Sequence, residues 1–140
     1  MVFFKGVDDV VAFAEGSNSV VYYSDLPHKG GNSKEANLVA WDKGEKKVLS
    51  ATSAVCQGLD RPHIRFVVFY RTAYGMLGFA QGAGWASHAG QFSDVILIRD
   101  TKIVHVTPGG PKSMLDLTGI VALDSFVYCR AKSNLMCRCI

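Results

Sequence analysis

Apolar residues recur along this chain with two alternating spacings, one near 3.6 and one near 2. Val7, Val10, Val11 and Ala14 fall at helical spacing, and Gly16 supplies a stop. Residues 19–23, Ser-Val-Val-Tyr-Tyr, are β-branched and aromatic and predict a strand. Residues 26–31 carry Pro27, Gly30 and Gly31 and predict a loop. Asn32 with Glu35 forms a capping-box-like start for a short helix through Ala36, Leu38, Val39, Ala40 and Trp41. A charged turn follows at residues 43–47, then a strand at 48–52. Residues 64–70 and 94–98 are near-continuous apolar runs, of the kind expected of strands buried on both faces. Between them, residues 73–81 predict a weaker helix, because Gly75 and Gly78 each cost about 1 kcal/mol relative to alanine. Val2-Phe3-Phe4 opens the chain as a short apolar run. This alternation predicts an α/β fold, a mainly parallel sheet with helices on both faces. A composition shift puts a boundary after residue 98, dividing the chain into 1–98 and 99–140.

Composition narrows the class. With 140 residues, 49% of them hydrophobic, the chain is long and apolar enough to bury one core. Charged residues make up 19%, which excludes disorder as the default. A net charge of +3 is too small to argue for nucleic acid unaided. No apolar run reaches the roughly 18 residues of a membrane span, and the first residues lack the pattern of a secretory signal. An intracellular chain without a membrane partner is expected. Cys56, Cys129, Cys137 and Cys139 lack paired C-x-x-C knuckles, so reduced thiols are expected and a complete zinc site is not. His28, His63, His88 and His105 are scattered, and Asp8-Asp9 suits the first turn of a helix better than acid–base work.

Residues 51–65, A-T-S-A-V-C-Q-G-L-D-R-P-H-I-R, follow one predicted strand and precede another. They resemble motif V of superfamily-two helicases, most closely the RecQ-like form. Residues 81–91, Q-G-A-G-W-A-S-H-A-G-Q, stand where that family has motif VI, Q-x-x-G-R-x-G-R-x-G. Residues 2–10 resemble motif IV, residues 22–26 (Y-Y-S-D-L) a Y-H-S-D-L segment, and residues 37–49 the stretch n-l-x-x-W-x-x-G-E-x-x-V-L. The likeness is collinear from residue 2 to residue 98. Any one segment alone is weak; their order and spacing carry the resemblance.

The resemblance implies a RecA-like three-layer sandwich, the second of the two lobes between which a 3′-to-5′ DNA helicase spends ATP with Mg2+. It implies single-stranded or forked DNA as partner, a first RecA-like lobe met in trans, and a nuclear location. Carried over by position, Ser24, Thr52 and Ser53 would hold nucleic-acid phosphate. Gly58 and Asp60 would face the nucleotide ribose, and Gln81 would couple the nucleotide to the lobe interface. Without the resemblance, Thr52 reads as a strand-end cap, Asp60 as a turn initiator and Gln81 as a helix end.

Departures from the pattern fall on the chemistry. Trp85 and His88 replace the two motif VI arginines, Ser87 replaces a glycine, and Cys56 stands at a motif V glycine. An indole has one N–H donor where a guanidinium has five and a permanent charge. An arginine finger contributes on the order of 10³ to 10⁵ in phosphoryl-transfer rate. ATP is therefore not expected to be turned over by this chain. No G-x-x-x-x-G-K-[ST] or D-E-x-H segment occurs, and residues 103–113 imitate a phosphate loop only by a Gly-Gly-Pro-Lys-Ser turn whose Pro111 offers no N–H. Cys137-Arg138-Cys139 resembles the start of the family's zinc subdomain, and residues 115–129 read as a helix leading toward it.

Three readings stand at this point. The first, preferred, is a fragment or degenerate copy of a RecQ-like helicase without stand-alone activity. The second is a non-catalytic nucleic-acid-binding or protein-binding module, with Lys29, Lys34, Lys46 and Lys47 as candidate basic contacts. The third is a lobe that docks on an intact helicase and regulates it.

Overall fold

The computed structural model describes residues 1–56, 61, 63–70, 75–87, 92–98, 118–123 and 125–127. Strands β1 (Val2–Phe3), β2 (Ser19–Tyr22), β3 (Val48–Ala51), β4 (Phe66–Tyr70) and β5 (Asp94–Ile98) form one sheet in the order β2-β3-β1-β4-β5. All its pairings are parallel. Helices α1 (Val7–Gly16), α2 (Lys34–Asp42) and α3 (Met76–Gly84) alternate with them, and two 3-10 turns cover Ser53–Cys56 and Trp85–Ser87. The α/β class and the parallel sheet expected from the sequence are both present.

Register explains the layers. Tyr22, Ala51, Phe3, Phe69 and Leu97 are successive partners across the sheet and therefore share one face. That face is the core: Phe3, Leu49, Ala51, Val67 and Phe69 are fully buried beneath Leu38 and Trp41 of α2 and Phe79 of α3. On the opposite face α1 lies against β2 and β3, with Val10 buried. There Ser50, fully buried, donates its hydroxyl to the Val20 carbonyl at 3.0 Å. A buried hydroxyl with a partner avoids a desolvation cost of about 1–3 kcal/mol.

Several local expectations need correction. The cap of α2 is Ser33, whose Oγ accepts from the Ala36 N–H at 3.2 Å, not Asn32 in a capping box. Asn32 Oδ1 instead accepts from Asn37 Nδ2 at 3.0 Å, and the same amide donates to the Val21 carbonyl at 2.9 Å. Asn37 thus ties α2 to strand β2. Helix α3 begins at Met76 and runs to Gly84, later than residues 73–81 suggest. Strand β4 begins at Phe66, which is 56% exposed, and Val95, Ile96 and Ile98 of β5 are exposed as well. These two strands are not buried on both faces, because α1 sits over β2 and β3 and β5 is an edge of the sheet. Of the helix expected at residues 115–129, residues 118–123 and 125–127 are helical and the rest lies outside the described residues. So do Cys129, Cys137, Cys139 and the loop at 103–113.

Gly82 is where sequence and packing meet most tightly. A Cβ there would lie 2.6 Å from Cζ and 3.1 Å from Cε1 of Phe69, a ring that is itself fully buried. Neither partner can move without disturbing the core. Gly82→Ala is expected to destabilise the chain by about 1–3 kcal/mol despite alanine's better helix propensity. Thermal unfolding checks this: the midpoint should fall by several degrees, while Gly84→Ala, with open space around its Cα, should not lower it.

Candidate nucleic-acid interface

In an open parallel sheet, ligands bind in the crevice beyond the carboxyl ends of the strands. Here β2 ends at Tyr22 and β3 at Ala51, and the chain continues beyond each into a polar turn. The Thr52 N–H donates to the Tyr22 carbonyl at 3.1 Å, holding the two strand ends together. The Val55 N–H returns to the Thr52 carbonyl at 3.3 Å, which bends the chain into the 3-10 turn and leaves Thr52 and Ser53 on the rim. Ser24 reaches the same rim from β2.

Ser24, Lys34, Thr52, Ser53 and Ala54 line a depression of about 440 Å³. The three residues that the sequence proposes for nucleic acid are therefore brought together, although 28 positions separate Ser24 from Thr52. Lys34 opens α2, and its Nζ donates to the Ser24 carbonyl at 2.6 Å and stands 5.8 Å from the centre of the Tyr22 ring. These contacts hold a half-exposed cation at the edge of the depression. Two hydroxyl-bearing turns and one ammonium suit the oxygens of a phosphodiester, to which side-chain hydroxyls and lysine commonly bind.

The other candidate lysines part company here. Lys46 Nζ bonds to Asn18 Oδ1, and both residues precede strands, β3 and β2, at the opposite end of the sheet. Lys29 and Lys47 do not line the depression. Sequence reasoning could name Lys34 but had no means to prefer it. One more pairing escaped it: Arg61 Nε lies 2.8 Å from Asp42 Oδ1, linking the motif V segment to the end of α2. Both partners are about one-third exposed, so this ion pair contributes at most about 1 kcal/mol.

The nucleotide-side candidates fare differently. Gly58, Asp60 and His88 lie outside the described residues. Gln81 is exposed on α3 and does not line the depression. Trp85 is a core residue: it is 9% exposed, and its ring stacks on Phe3 with centroids 5.8 Å apart. Among the described residues, no group of three His, Cys, Asp or Glu side chains could hold a metal ion, and no helix is long and apolar enough to cross a membrane.

No protein-family model matches the chain. Over 126 residues it is 25% identical to the ATP-dependent DNA helicase Q-like 2 of Arabidopsis thaliana, an alignment covering 85% of this chain and 16% of that protein. Its backbone superimposes on the E. coli DEAD-box protein SrmB, solved in complex with regulator of ribonuclease activity A, with a TM-score of 0.57. That match covers 70% of this chain and 59% of the other at 22% identity. The fold is RecA-like. The chain spans about a sixth of the length of the curated relative.

Within this lobe, Trp85 yields a sharp expectation. Arginine at that position would place a charge against Phe3 and remove a buried aromatic, a loss of at least about 3 kcal/mol. Trp85→Arg should lower the unfolding midpoint far more than Trp85→Phe, which keeps a ring on Phe3, and neither should confer ATP turnover. Calorimetric midpoints of the two variants decide it.

Proposed function

We propose that this chain is the second RecA-like lobe of a RecQ-like DNA helicase, holding a single strand by its phosphates and lacking stand-alone ATPase activity. The observation that carries the reading is the convergence of Ser24, Thr52 and Ser53 with Lys34 in one depression at the carboxyl ends of β2 and β3. Likeness to a helicase of the Q-like type and the superposition on a DEAD-box protein support the lobe assignment. In this reading Lys34 supplies the charge, Ser24 and Thr52 orient one phosphate each, and the 3-10 turn bearing Ser53 sets their spacing. ATP with Mg2+, a first lobe in trans and a nuclear setting belong to the same proposal.

The position of Trp85 favours a second reading for catalysis. An indole turned into the core offers nothing to a nucleotide phosphate, so the lobe serves as a binding module even where a first lobe is present.

Two measurements test these readings. Fluorescence anisotropy with a labelled oligo-dT at low salt should show binding that weakens with added salt. Lys34→Ala should reduce the salt slope by roughly 0.7, the value of one single-strand phosphate contact, while Lys46→Ala at the far end of the sheet leaves it unchanged. Thr52→Val should weaken binding without altering the slope. Failure of the parent chain to bind at low salt would overturn the assignment.

The second measurement is phosphate release from ATP by the purified chain, with and without oligo-dT. No release above background is expected; DNA-stimulated turnover would show that Trp85 does not bar the chemistry.

A further inference from the structure

From Val21 to Gly30, every third carbonyl is taken by the start of α2. Asn37 Nδ2 donates to the Val21 carbonyl at 2.9 Å, and Lys34 Nζ donates to the Ser24 carbonyl at 2.6 Å. The Lys34 N–H donates to the Pro27 carbonyl at 2.8 Å, and Ser33 Oγ to the Gly30 carbonyl at 2.8 Å. Asn37 makes the one of these contacts that reaches the sheet itself. Val21 lies in β2, an outer strand. The neighbouring Tyr22 carbonyl points toward β3, where it accepts from the Thr52 N–H. Carbonyls alternate in direction along a strand, so that of Val21 points outward, to the side where no described strand pairs with β2. The buried Asn37 amide supplies the donor there, and its second N–H holds Asn32 Oδ1 at 3.0 Å.

Lys34 stands one turn before Asn37 on the same helix, so the register that Asn37 sets is also the register of the ammonium over Ser24. We propose that Asn37 is a positioning residue for the depression. It locks α2 to the outer edge of β2 and thereby fixes Lys34, whose ammonium keeps two N–H donors for an incoming phosphate after serving Ser24. The lock needs a short side chain with two donors: a carboxylate offers acceptors only, and an aliphatic chain offers neither. The charge is then in place before nucleic acid arrives, and little ordering remains to be done on binding. That Lys34 meets a phosphate rests on the functional reading above; the lock between Asn37 and β2 does not.

Asn37→Leu, similar in shape but without donors, tests the two parts separately on the full chain. Amide hydrogen exchange reads the lock. The Lys34 N–H, bonded to Pro27, and the Leu26 N–H, bonded to the Tyr23 carbonyl at 3.2 Å, should exchange about tenfold faster than in the parent. The Val68 N–H, bonded to the Met1 carbonyl in the middle of the sheet, should keep its parent rate. Oligo-dT anisotropy reads the site. Asn37→Leu should weaken binding and lower the salt slope toward that of Lys34→Ala, by up to about 0.7. Adding Lys34→Ala to Asn37→Leu should cost less affinity than Lys34→Ala costs the parent. Gly82→Ala, which strains the core at Phe69 instead, should leave the slope and the Lys34 exchange rate at parent values. A slope lowered as far in Gly82→Ala would reduce Asn37 to general stability and overturn the positioning role. Parent exchange at Lys34 in Asn37→Leu would overturn the lock. Faster exchange with a parent slope and additive losses would overturn the positioning of Lys34. Where Asn37→Leu does not fold, Asn32→Ala decides by the same two readouts, since it removes one of the two acceptors from an exposed residue. Absence of binding by the parent chain, with exchange accelerated as expected, would bring down the nucleic-acid reading and leave the lock standing.

Discussion

Phe3 stands at the centre of everything else in this molecule. Strand β1 is two residues long, yet it is the middle strand, paired on one side with β3 and on the other with β4. Its flanks extend the ladder: the Phe4 N–H donates to the Ala51 carbonyl, the Val68 N–H to the Met1 carbonyl, and the Met1 nitrogen to the Phe66 carbonyl. The Phe3 ring stacks on Phe69 at 5.0 Å and on Trp85 at 5.8 Å. So short a strand has few hydrogen bonds of its own, and aromatic pairs of this kind contribute about 0.5–1.5 kcal/mol each beyond their buried area. The ring stack therefore secures the strand that joins the two halves of the sheet.

This constraint propagates outward to the rim. Phe3 is level with Ala51 and Phe69, Ala51 in turn pairs with Tyr22 at the ends of β3 and β2, and the Thr52-to-Tyr22 hydrogen bond fixes the turn that follows. Gly82 leaves room for the Phe69 ring, and Phe79 carries the aromatic contacts on to Phe126. One contiguous set of rings thus spans from Trp85 to residue 126. The same packing removes Trp85 from the surface: a residue that completes the core beside Phe3 is not at hand for a ligand beyond the strand ends.

Much of the fold was legible in the residues. Four of the five strands, all three helices and the alternation that makes a parallel sheet follow from spacing and β-branched content, because burial of one face imposes its period on the chain. Ser24, Thr52 and Ser53 were each named by collinear motif resemblance, but that they line one depression emerged only from the fold. Lys34 was not separable from Lys46, since both are surface lysines in polar surroundings and only the ends of the sheet at which they emerge distinguish them. The cap at Ser33 was missed for a similar reason: Asn32 and Ser33 are both good N-caps, and Asn32 proved to be taken by Asn37.

What the sequence determined alone is the type and order of the elements, since local periodicity sets them. Only the tertiary structure decided how far burial extends: β4 and β5 read as strands buried on both faces, but β5 is an edge strand, Phe66 at the start of β4 is exposed, and α1 lies over β2 and β3 instead. It likewise decided that Trp85 is core and that Gly75 and Gly119 touch, 44 positions apart in the chain. A hydrophobic residue carries the same free energy of burial wherever it falls in the sequence; whether a partner stands opposite it depends on contacts between distant segments, which local patterning does not encode.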